Sequence, residues 1–295
     1  MSRVRIVEVG PRDGLQNEAV PLPPQVRIEF IRKLLAAGLD TIEVGSFVSP
    51  KWVPQMAGTD EVLSAVIGKE SGNFPVLVPN EKGLDAAIAA GAREIAVFAS
   101  ASESFSQKNI NCSIAESIER FRPVAERAKG LDIRLRGYVS CVLGCPYEGA
   151  VPVSAVADVA EKLVGLGCYE ISLGDTIGVG TPGKARDLVR SISSTIPAGQ
   201  LAVHFHDTYG QALANIYAAL LEGVAVIDSA AGGLGGCPYA KGASGNVATE
   251  NVVYMLEGLG VPTGVDMPRL LDAVTFISGA LGRTPQSNVY KALAG

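Results

Sequence analysis

A repeated order of helix, glycine and strand constrains the fold of this chain more than any other feature of the sequence. In each repeat a helix-like stretch ends in glycine, two to four residues follow, and a strand rich in β-branched residues begins. Glycine suits the left-handed residue that ends a helix, so each of these glycines is predicted to terminate one. The repeats lie at residues 37–44, 90–97, 129–133, 166–173 and 222–227.

Three further strand-like stretches bring the predicted strands to about eight: residues 4–9, 74–78 and 201–205. The strands are short and mostly apolar, as expected for strands covered on both faces, and their alternation with helices favours a parallel sheet. No change in composition interrupts the units. We therefore predict one α/β catalytic domain over residues 1–295, a closed (β/α)8 TIM barrel. Two later segments, from about residue 246, are predicted to be additional C-terminal helices packed on the barrel: residues 246–258 and 266–279.

The composition excludes two classes of partner. The formal net charge is −5 and there is no basic stripe, so neither nucleic acid nor an anionic membrane surface is an expected partner. The longest nearly uncharged run, residues 138–157, contains glycines, prolines and Glu148, and is a poor membrane span. Strand-like sequence begins at Val4 without a leader, and the five cysteines form no disulfide framework. We therefore expect a cytoplasmic protein.

The only two histidines of the chain lie at the end of one predicted strand, where chemistry takes place in an α/β barrel. His204 and His206 are two residues apart, and side chains alternate across a strand, so both rings are predicted to point to the same side. Two imidazoles on one face are half of a metal site or, equally well, a hydrogen-bonded pair near the core.

The first two strands carry similar polar residues. Both contain Glu-Val-Gly, which places Glu8 and Glu43 in otherwise apolar strands. Buried carboxylates need partners, which a cation or Arg12 could supply; alternatively, the two form a polar layer inside the barrel. Arg12 and Asp13 directly follow the first strand, in an Arg-Asp-Gly turn that is common enough to be structural alone.

Two further candidates follow the eighth strand. Cys237 comes after four glycines, in a loop that lets backbone approach a ligand, and it is a stronger catalytic candidate than Cys112 or Cys168. Asn246 either caps the next helix or supplies an oxygen ligand. Together with Asp13 and the two histidines it would give two nitrogens and two oxygens, a donor set that favours Mg²⁺ or Mn²⁺ over thiolate-held zinc.

A glycine motif, G-x-G-x-x-G, occupies residues 178–183 between a predicted strand and a helix. Alone it is weak evidence for a dinucleotide, and the barrel pattern and the proline within it favour a loop that caps a helix. Thr181 and Pro182 are predicted to be the cap and first residue of that helix. Asp175, at the end of the sixth strand, is a further candidate to line the site.

Five stretches of this chain together resemble the 3-hydroxy-3-methylglutaryl-CoA lyase family. The Gly-Gly-Cys-Pro-Tyr segment at 235–239 is the most specific of the shared features. The Arg-Asp-Gly turn and the His-x-His strand are similar to those of a wider set of metal-dependent TIM barrels that make or break carbon–carbon bonds. The stretches span nearly the whole chain: residues 9–18, 46–56, 172–178, 204–210 and 232–240.

The resemblance implies a carbon–carbon lyase that converts 3-hydroxy-3-methylglutaryl-CoA to acetyl-CoA and acetoacetate, as in leucine degradation and ketone-body formation. It implies an acyl-CoA substrate and a homo-oligomer, most simply a dimer. It places Arg12 on the substrate, Cys237 at the chemical step and Glu43 in the active site. It also implies four ligands of Mg²⁺ or Mn²⁺: Asp13, His204, His206 and Asn246.

The chemistry of this cleavage suits the residues. The tertiary hydroxyl must lose a proton, which His204, Asp13 or a water could accept. The thioester enolate that leaves needs a stabilising cation, for which Arg12 is suited, and then a proton. A neutral thiol, with a pKa of roughly 8.5, is a reasonable donor, so Cys237 is the expected acid.

Three alternatives remain from the sequence. A related barrel enzyme could run a Claisen condensation of acetyl-CoA with a 2-oxo acid, using the same Arg12 and histidines. A non-catalytic acyl-CoA-binding protein could have kept the fold, although lost ligands would then be expected and all four are present. A nicotinamide dehydrogenase is the alternative suggested by residues 178–183.

Overall fold

The strands of this protein form one curved parallel sheet. The computed structural model describes residues 3–235 and 245–294. Neighbouring strands pair in parallel throughout the described sheet, as the helix–strand alternation predicts. The strands are β1 (Arg5–Glu8), β2 (Thr41–Ile42), β3 (Gly45–Ser46), β4 (Val76–Leu77), β5 (Glu94–Ser100), β6 (Arg134–Ser140), β7 (Glu170–Asp175), β8 (Leu201–Phe205) and β9 (Val226–Ser229).

The sheet closes on itself because β2 and β3 are two parts of a single barrel strand. β2 pairs with β1, and β3 pairs with β4. Between them the Glu43 N–H donates to the Glu8 carbonyl at 2.9 Å and the Val44 N–H donates to the Pro75 carbonyl at 3.1 Å. The run therefore bonds a neighbour on each side, and β1 pairs with β9 to complete the circle. The predicted (β/α)8 TIM barrel is confirmed.

Helices cover the outside of the barrel. α9 and α10 correspond to the two predicted C-terminal helices, although α9 begins at Thr249 rather than Asn246, and α11 was not predicted. In the part of the chain that the structure describes, no helix is both long and apolar enough to cross a membrane. The helices are α1 (Pro24–Ala36), α2 (Thr59–Val66), α3 (Glu81–Ala89), α4 (Glu103–Ile110), α5 (Ile114–Gly130), α6 (Val153–Gly165), α7 (Pro182–Ile192), α8 (Ala212–Leu221), α9 (Thr249–Gly258), α10 (Met267–Leu281) and α11 (Asn288–Leu293).

The C-terminal helix α10 packs against α1 at the start of the barrel. Their apolar faces belong to one buried cluster that extends from Val4 to Ile277. At the edge of this contact the Lys33 Nζ lies 2.7 Å from the Asp272 Oδ2, and the Arg269 Nη1 donates to the Ala36 carbonyl at 3.0 Å. The additional helices therefore lie on the barrel wall, as the sequence predicts.

The glycines of the repeat end helices at four of the five places where they were predicted to do so. Gly38, Gly91, Gly167 and Gly223 all have positive φ. At the remaining repeat the prediction is wrong: Gly130 is still part of α5, and Asp132, with φ 55°, takes the left-handed conformation instead. Asp is one of the few other residues that adopt this conformation readily, because its short polar side chain bonds locally.

We predict that Gly38→Ala destabilises the fold more than Gly167→Ala. Both glycines have similar φ, 93° and 99°, so both variants carry about the same left-handed strain of roughly 1 kcal/mol. An added Cβ at Gly38 collides with the backbone carbonyl of Gly264, whereas at Gly167 nothing lies within 4 Å. Urea unfolding should show that Gly38→Ala lowers the free energy of unfolding by at least about 1 kcal/mol more than Gly167→Ala does. Equal decreases in the two variants would contradict this prediction.

Candidate active site

Three potential metal ligands converge at the C-terminal end of the barrel. Asp13 lies in a short π-helical turn (Gly10–Gly14) after β1, His204 lies on β8, and His206 directly follows that strand. One ligand atom from each lies within 4.8 Å of the others. The two imidazole centroids are 5.4 Å apart and both rings are on one side, as predicted. This arrangement favours the metal interpretation over a hydrogen-bonded histidine pair.

Asn246 lies beside this cluster. Its Nδ2 donates to the Asp13 Oδ2 at 2.8 Å and to the Leu234 carbonyl at 3.1 Å. Its backbone forms an isolated bridge with that of His206. The alternative of a helix cap is wrong, since α9 begins at Thr249 and the preceding residue, Ala248, is in the cap position. The structure thus brings all four proposed ligands to one place.

The charges in the cluster suit a bound cation. Burial acts to raise the pKa of Asp13, but Arg12 and the two histidines outweigh it and lower this pKa to about 2. Burial and the neighbouring His204 lower the pKa of His206 to about 4. At neutral pH the site therefore contains a carboxylate and at least one neutral imidazole, the forms that bind metal ions.

An unpaired nitrogen shows that these residues fit a divalent cation. The Nδ1 of His206 is buried and has no hydrogen-bond partner among residues 3–235 and 245–294. An unsatisfied buried acceptor is unfavourable, and a metal ion at this position would satisfy it. The His206 Nδ1, the carboxylate of Asp13 and the Nε2 of His204 together form a mixed nitrogen and oxygen donor set.

Arg12 is fixed between two carboxylates beside the cluster. Its Nε donates to the Glu43 Oε2 at 2.6 Å, and its Nη1 donates to the Asp13 Oδ1 at 2.6 Å. The guanidinium carbon lies 5.5 Å from the centroid of the Tyr138 ring. Burial acts to lower the pKa of Arg12, but the two carboxylates raise it well above its ordinary value, so the side chain stays charged.

The two strand glutamates have different partners. Glu43 accepts from Arg12 and, at 3.2 Å, from the Tyr138 hydroxyl, and burial raises its pKa above the usual value although Arg12 lowers it. Glu8 instead accepts from the backbone N–H groups of Gly10 and Ala231 and from the Thr249 hydroxyl. Of the two glutamates, Arg12 therefore pairs with Glu43 and not with Glu8, whose carboxylate faces the turn at Ala231 and the start of α9.

Sequence reasoning missed a second guanidinium, Arg136, in the interior of the barrel. Its Nε donates to the Glu170 Oε1 at 2.7 Å, its Nη1 to the Tyr138 hydroxyl at 2.8 Å and its Nη2 to the Asp228 Oδ1 at 2.7 Å. Burial acts to raise the pKa of Asp228, but Arg136 and His204 lower it far below its usual value. The polar residues at alternate positions of β6, which include Arg136 and Tyr138, were the sequence signal for this interior face.

The glycine motif at 178–183 folds around the carboxylate of Asp175. This carboxylate accepts from the Val179 N–H at 3.2 Å and from the Gly180 N–H at 2.8 Å, and burial raises the pKa of Asp175 to about 6. A Cβ on Gly180 would lie 2.7 Å from the Asp175 Oδ2. The glycine is therefore required for this packing. Pro182 begins α7, as predicted, while the Thr181 side chain makes no cap hydrogen bond.

Cys237 lies outside the described residues, and its place at the chemical step stays a prediction. The chain reaches this segment through Gly235, whose carbonyl accepts from the Gly245 N–H at 3.1 Å. The other four cysteines, which were not favoured as catalytic residues, are buried free thiols: Cys112, Cys141, Cys145 and Cys168.

A cleft of 560 Å³ lies between α2 and α3. One end is formed by residues 46–50 and 79–80, which follow β3 and β4 at the same end of the barrel as the cluster. Small and apolar residues dominate its lining, with Lys82 as its cation. A smaller cavity of 290 Å³ lies around Arg3–Ile6, at the opposite end of the barrel.

The fold and the cluster together define a (β/α)8 barrel with a candidate divalent-metal site at the C-terminal ends of its strands. The chain belongs to the HMGL-like family, whose model matches residues 3–277.

Several curated proteins are similar to this chain over nearly its whole length. A Pseudomonas aeruginosa protein named 3-hydroxy-3-isohexenylglutaryl-CoA/hydroxy-methylglutaryl-CoA lyase is 60% identical over 291 residues, 99% of this chain and 97% of that protein. A Gallus gallus protein named mitochondrial hydroxymethylglutaryl-CoA lyase is 57% identical over 290 residues, 98% of this chain and 97% of that protein. Other relatives of similar identity are named either cytoplasmic or mitochondrial.

A solved structure has the same fold. The crystal structure of hydroxymethylglutaryl-CoA lyase from Pseudomonas aeruginosa superposes with a TM-score of 0.97 at 59% sequence identity and covers 99% of this chain and 98% of that one.

We predict that His206→Ala weakens binding of Mn²⁺ at least about tenfold without unfolding the barrel. The substitution removes one donor, and the side chain lies beyond the end of β8 rather than in the apolar core. Isothermal titration calorimetry measures the affinity, and thermal unfolding of the metal-free protein checks the fold. Tyr209→Ala, an exposed residue of the same loop, is the control and should bind Mn²⁺ normally. Unchanged affinity in His206→Ala would exclude His206 as a ligand.

Proposed function

We propose that this chain is a divalent-metal-dependent carbon–carbon lyase that cleaves 3-hydroxy-3-methylglutaryl-CoA to acetyl-CoA and acetoacetate. The observation that carries the proposal is the convergence of Asp13, His204 and His206 beside the fixed guanidinium of Arg12. The names of the relatives give the substrate class. The relatives named above are called lyases, which favours a lyase over the Claisen synthase, the dehydrogenase and the non-catalytic protein.

We propose Mg²⁺ or Mn²⁺ as the ion, held by Asp13, His204, His206 and Asn246. Carboxylate, imidazole and amide donors suit these ions. When bound, such a cation supplies Lewis-acid chemistry that favours loss of a proton from a substrate hydroxyl. The proton acceptor we propose is Asp13 or a water, because a neutral imidazole that binds the ion through one nitrogen carries its proton on the other and has no free lone pair.

Arg12 is the proposed substrate-binding and enolate-stabilising residue. Glu43 and Asp13 hold two of its three guanidinium nitrogens, and Nη2 makes no hydrogen bond within the described part of the chain. A fixed planar cation can therefore direct one N–H group at the oxygen on which charge develops. Glu43 contributes by orienting Arg12, because its carboxylate is bonded to Nε.

Cys237 is the proposed acid that gives a proton to the enolate carbon. A thiol is a far stronger acid than an aliphatic hydroxyl, and the segment that carries it joins the described chain at Gly235 and Gly245. Gly245 directly precedes Asn246, which lies beside Asp13. The alkoxide oxygen forms the ketone of acetoacetate as the C2–C3 bond breaks, and the electrons of that bond form the thioester enolate. The enolate carbon takes the thiol proton to give acetyl-CoA, and the resulting thiolate recovers a proton from the group that accepted the hydroxyl proton or from water.

A longer substituent on C3 of the substrate is the second candidate. The Pseudomonas aeruginosa relative is named for both the methyl and the isohexenyl compounds. The polar residues proposed here bind the hydroxyl and the thioester, which both substrates share. The proposed substrate class is therefore 3-hydroxy-3-alkylglutaryl-CoA, and the 3-methyl compound is the first candidate substrate.

The carrier part of an acyl-CoA needs a binding surface near the barrel end. We propose that the cleft between α2 and α3 takes part of it. Its apolar and small lining suits the pantetheine arm, and Lys82 lies at the N-terminal turn of α3, where anions are favoured. We propose neither nucleic acid nor membranes as partners.

The assembly and location of the protein are further proposals. We propose that residues 1–295 act as one catalytic domain, which the packing of α10 on α1 supports. We propose a homodimer, which light scattering after size exclusion tests. We propose the cytoplasm; buried free cysteines suit a reducing compartment.

A coupled assay tests the function directly. The purified protein is incubated with 3-hydroxy-3-methylglutaryl-CoA, with Mg²⁺ or with a chelator, and both acetyl-CoA and acetoacetate are quantified. The proposal expects equal amounts of the two products, no turnover with the chelator, and recovery with Mg²⁺ or Mn²⁺. The isohexenyl analogue and a mixture of acetyl-CoA with 2-oxo acids are run in parallel. Full activity in the chelator contradicts the metal site.

We predict that Arg12→Lys lowers kcat by at least about a hundredfold. Lysine keeps the positive charge but lacks the planar guanidinium that Glu43 and Asp13 hold in place. Steady-state kinetics on the acyl-CoA separates kcat from KM. An unchanged kcat with a higher KM would show that Arg12 binds only the ground state.

We predict that Cys237→Ser keeps metal affinity and loses most turnover. Serine is nearly the same size but is a much weaker acid. Cys168→Ala, at a buried thiol on the barrel wall, is the control and should keep near-normal turnover. A thiol reagent should inactivate the control at the same rate as the parent protein. Near-normal turnover of Cys237→Ser would assign the proton to water or a histidine instead.

A further inference from the structure

We propose that Asp228 is a positioning residue that fixes the tautomer of His204, with the proton on Nδ1 and the lone pair of Nε2 toward Asp13. The inference rests on the proposed function, because it concerns the metal site of that function. Asp228 lies on β9, where it is the parallel partner of His204 on β8. Its Oδ2 is 3.3 Å from the His204 Nδ1, and the Nε2 of the same ring is 3.8 Å from the Asp13 Oδ2.

The surroundings of Asp228 leave it only the role of an acceptor. Its Oδ1 accepts from the Arg136 Nη2 at 2.7 Å, and its Oδ2 accepts from the Arg136 Nη1 at 3.1 Å and from the Ser172 hydroxyl at 2.8 Å. Arginine stays charged in proteins, so it holds Asp228 as a carboxylate. A carboxylate offers no proton to a neighbour. The His204 Nδ1 must therefore donate to it.

The opposite tautomer would place two acceptors side by side in the interior. Asp228 is fully buried at 1% exposure and His204 is 8% exposed, so water does not separate them. A proton on Nε2 would also occupy the nitrogen that faces Asp13, and a protonated nitrogen does not bind a metal ion. The contact with Asp228 thus makes the ring ready to ligate before any ion arrives.

Glu170 offers a matched control for a merely structural role. It is buried at 3% exposure and its Oε1 accepts from the Nε of the same Arg136 at 2.7 Å. Its other oxygen is bonded to Arg5. Asp228→Asn and Glu170→Gln therefore make the same carboxylate-to-amide change on one guanidinium, but only Asp228 contacts His204.

The variant at Asp228 has a defined expected geometry. The short contact with the Arg136 Nη2 selects the amide oxygen at the Oδ1 position. The amide N–H₂ then occupies the Oδ2 position, where the longer, 3.1 Å hydrogen bond from the Arg136 Nη1 is lost, and it donates to the His204 Nδ1, which becomes an acceptor. The proton moves to Nε2, the nitrogen needed for ligation.

The chain contains only two histidines, so nuclear magnetic resonance reads both tautomers directly. Long-range ¹H–¹⁵N spectra are recorded on the metal-free full chain with ¹⁵N-labelled histidine, at a pH where titration shows both rings to be neutral. His206→Gln assigns the two rings. The expected result is an Nδ1–H ring for His204 in the parent protein and in Glu170→Gln, and an Nε2–H ring in Asp228→Asn. Calorimetry should show Mn²⁺ affinity at least about tenfold lower in Asp228→Asn than in Glu170→Gln.

An Nε2–H signal for His204 in the parent protein would overturn the inference without any variant, even where Asp228→Asn does not fold. Retention of Nδ1–H and of Mn²⁺ affinity in a folded Asp228→Asn would overturn it too. The spectra do not depend on turnover. Absence of lyase activity with the expected tautomers would refute the proposed function alone, whereas full activity with an Nε2–H ring would refute this inference alone.

Discussion

The buried ion pair between Arg136 and Asp228 supports the whole polar interior of this barrel. A charged group without a partner is strongly unfavourable inside a protein, so each buried charged residue of this interior needs a neighbour of opposite charge. Arg136, on β6, satisfies carboxylates on β7 and on β9, and it also reaches the Tyr138 hydroxyl. From there the contacts continue on both sides to the potential metal ligands. The connected residues are Asp13, Arg12, Glu43, Tyr138, Arg136, Asp228 and His204.

This network holds the side chains of the candidate site in defined orientations. Arg12 is held in one orientation because its guanidinium donates to two carboxylates. His204 is held by Asp228, and Asp13 by Arg12 and Asn246. Rotation of Arg12 would leave the buried carboxylate of Glu43 without its cation. Preorganisation of this kind lowers the reorganisation needed when charge develops in a reaction.

Sequence periodicity was enough to predict the barrel and the shared face of the two histidines, whereas the proposed set of four ligands came from the family resemblance. His204 and His206 share a face because a strand alternates, and Asp13 joins them because parallel strands end at one edge. The partners of Arg136 were not predictable, since they depend on how strands far apart in the chain align with one another. The same reason separates Glu8 from Glu43: identical local sequences face different neighbours once the barrel is closed.

The pairing of β1 with β9 has a consequence for the order of events during synthesis. Val7 is the partner of Asp228, so β1, which is synthesised before the other described strands of the barrel, has no permanent neighbour on that side until β9 has been made. Asp13, just after β1, meets His204 and Asn246 only then. The site therefore combines residues that follow β1 with residues that follow β8 and β9, and a nascent polypeptide that ends before β9 has a barrel with an open seam and no complete site.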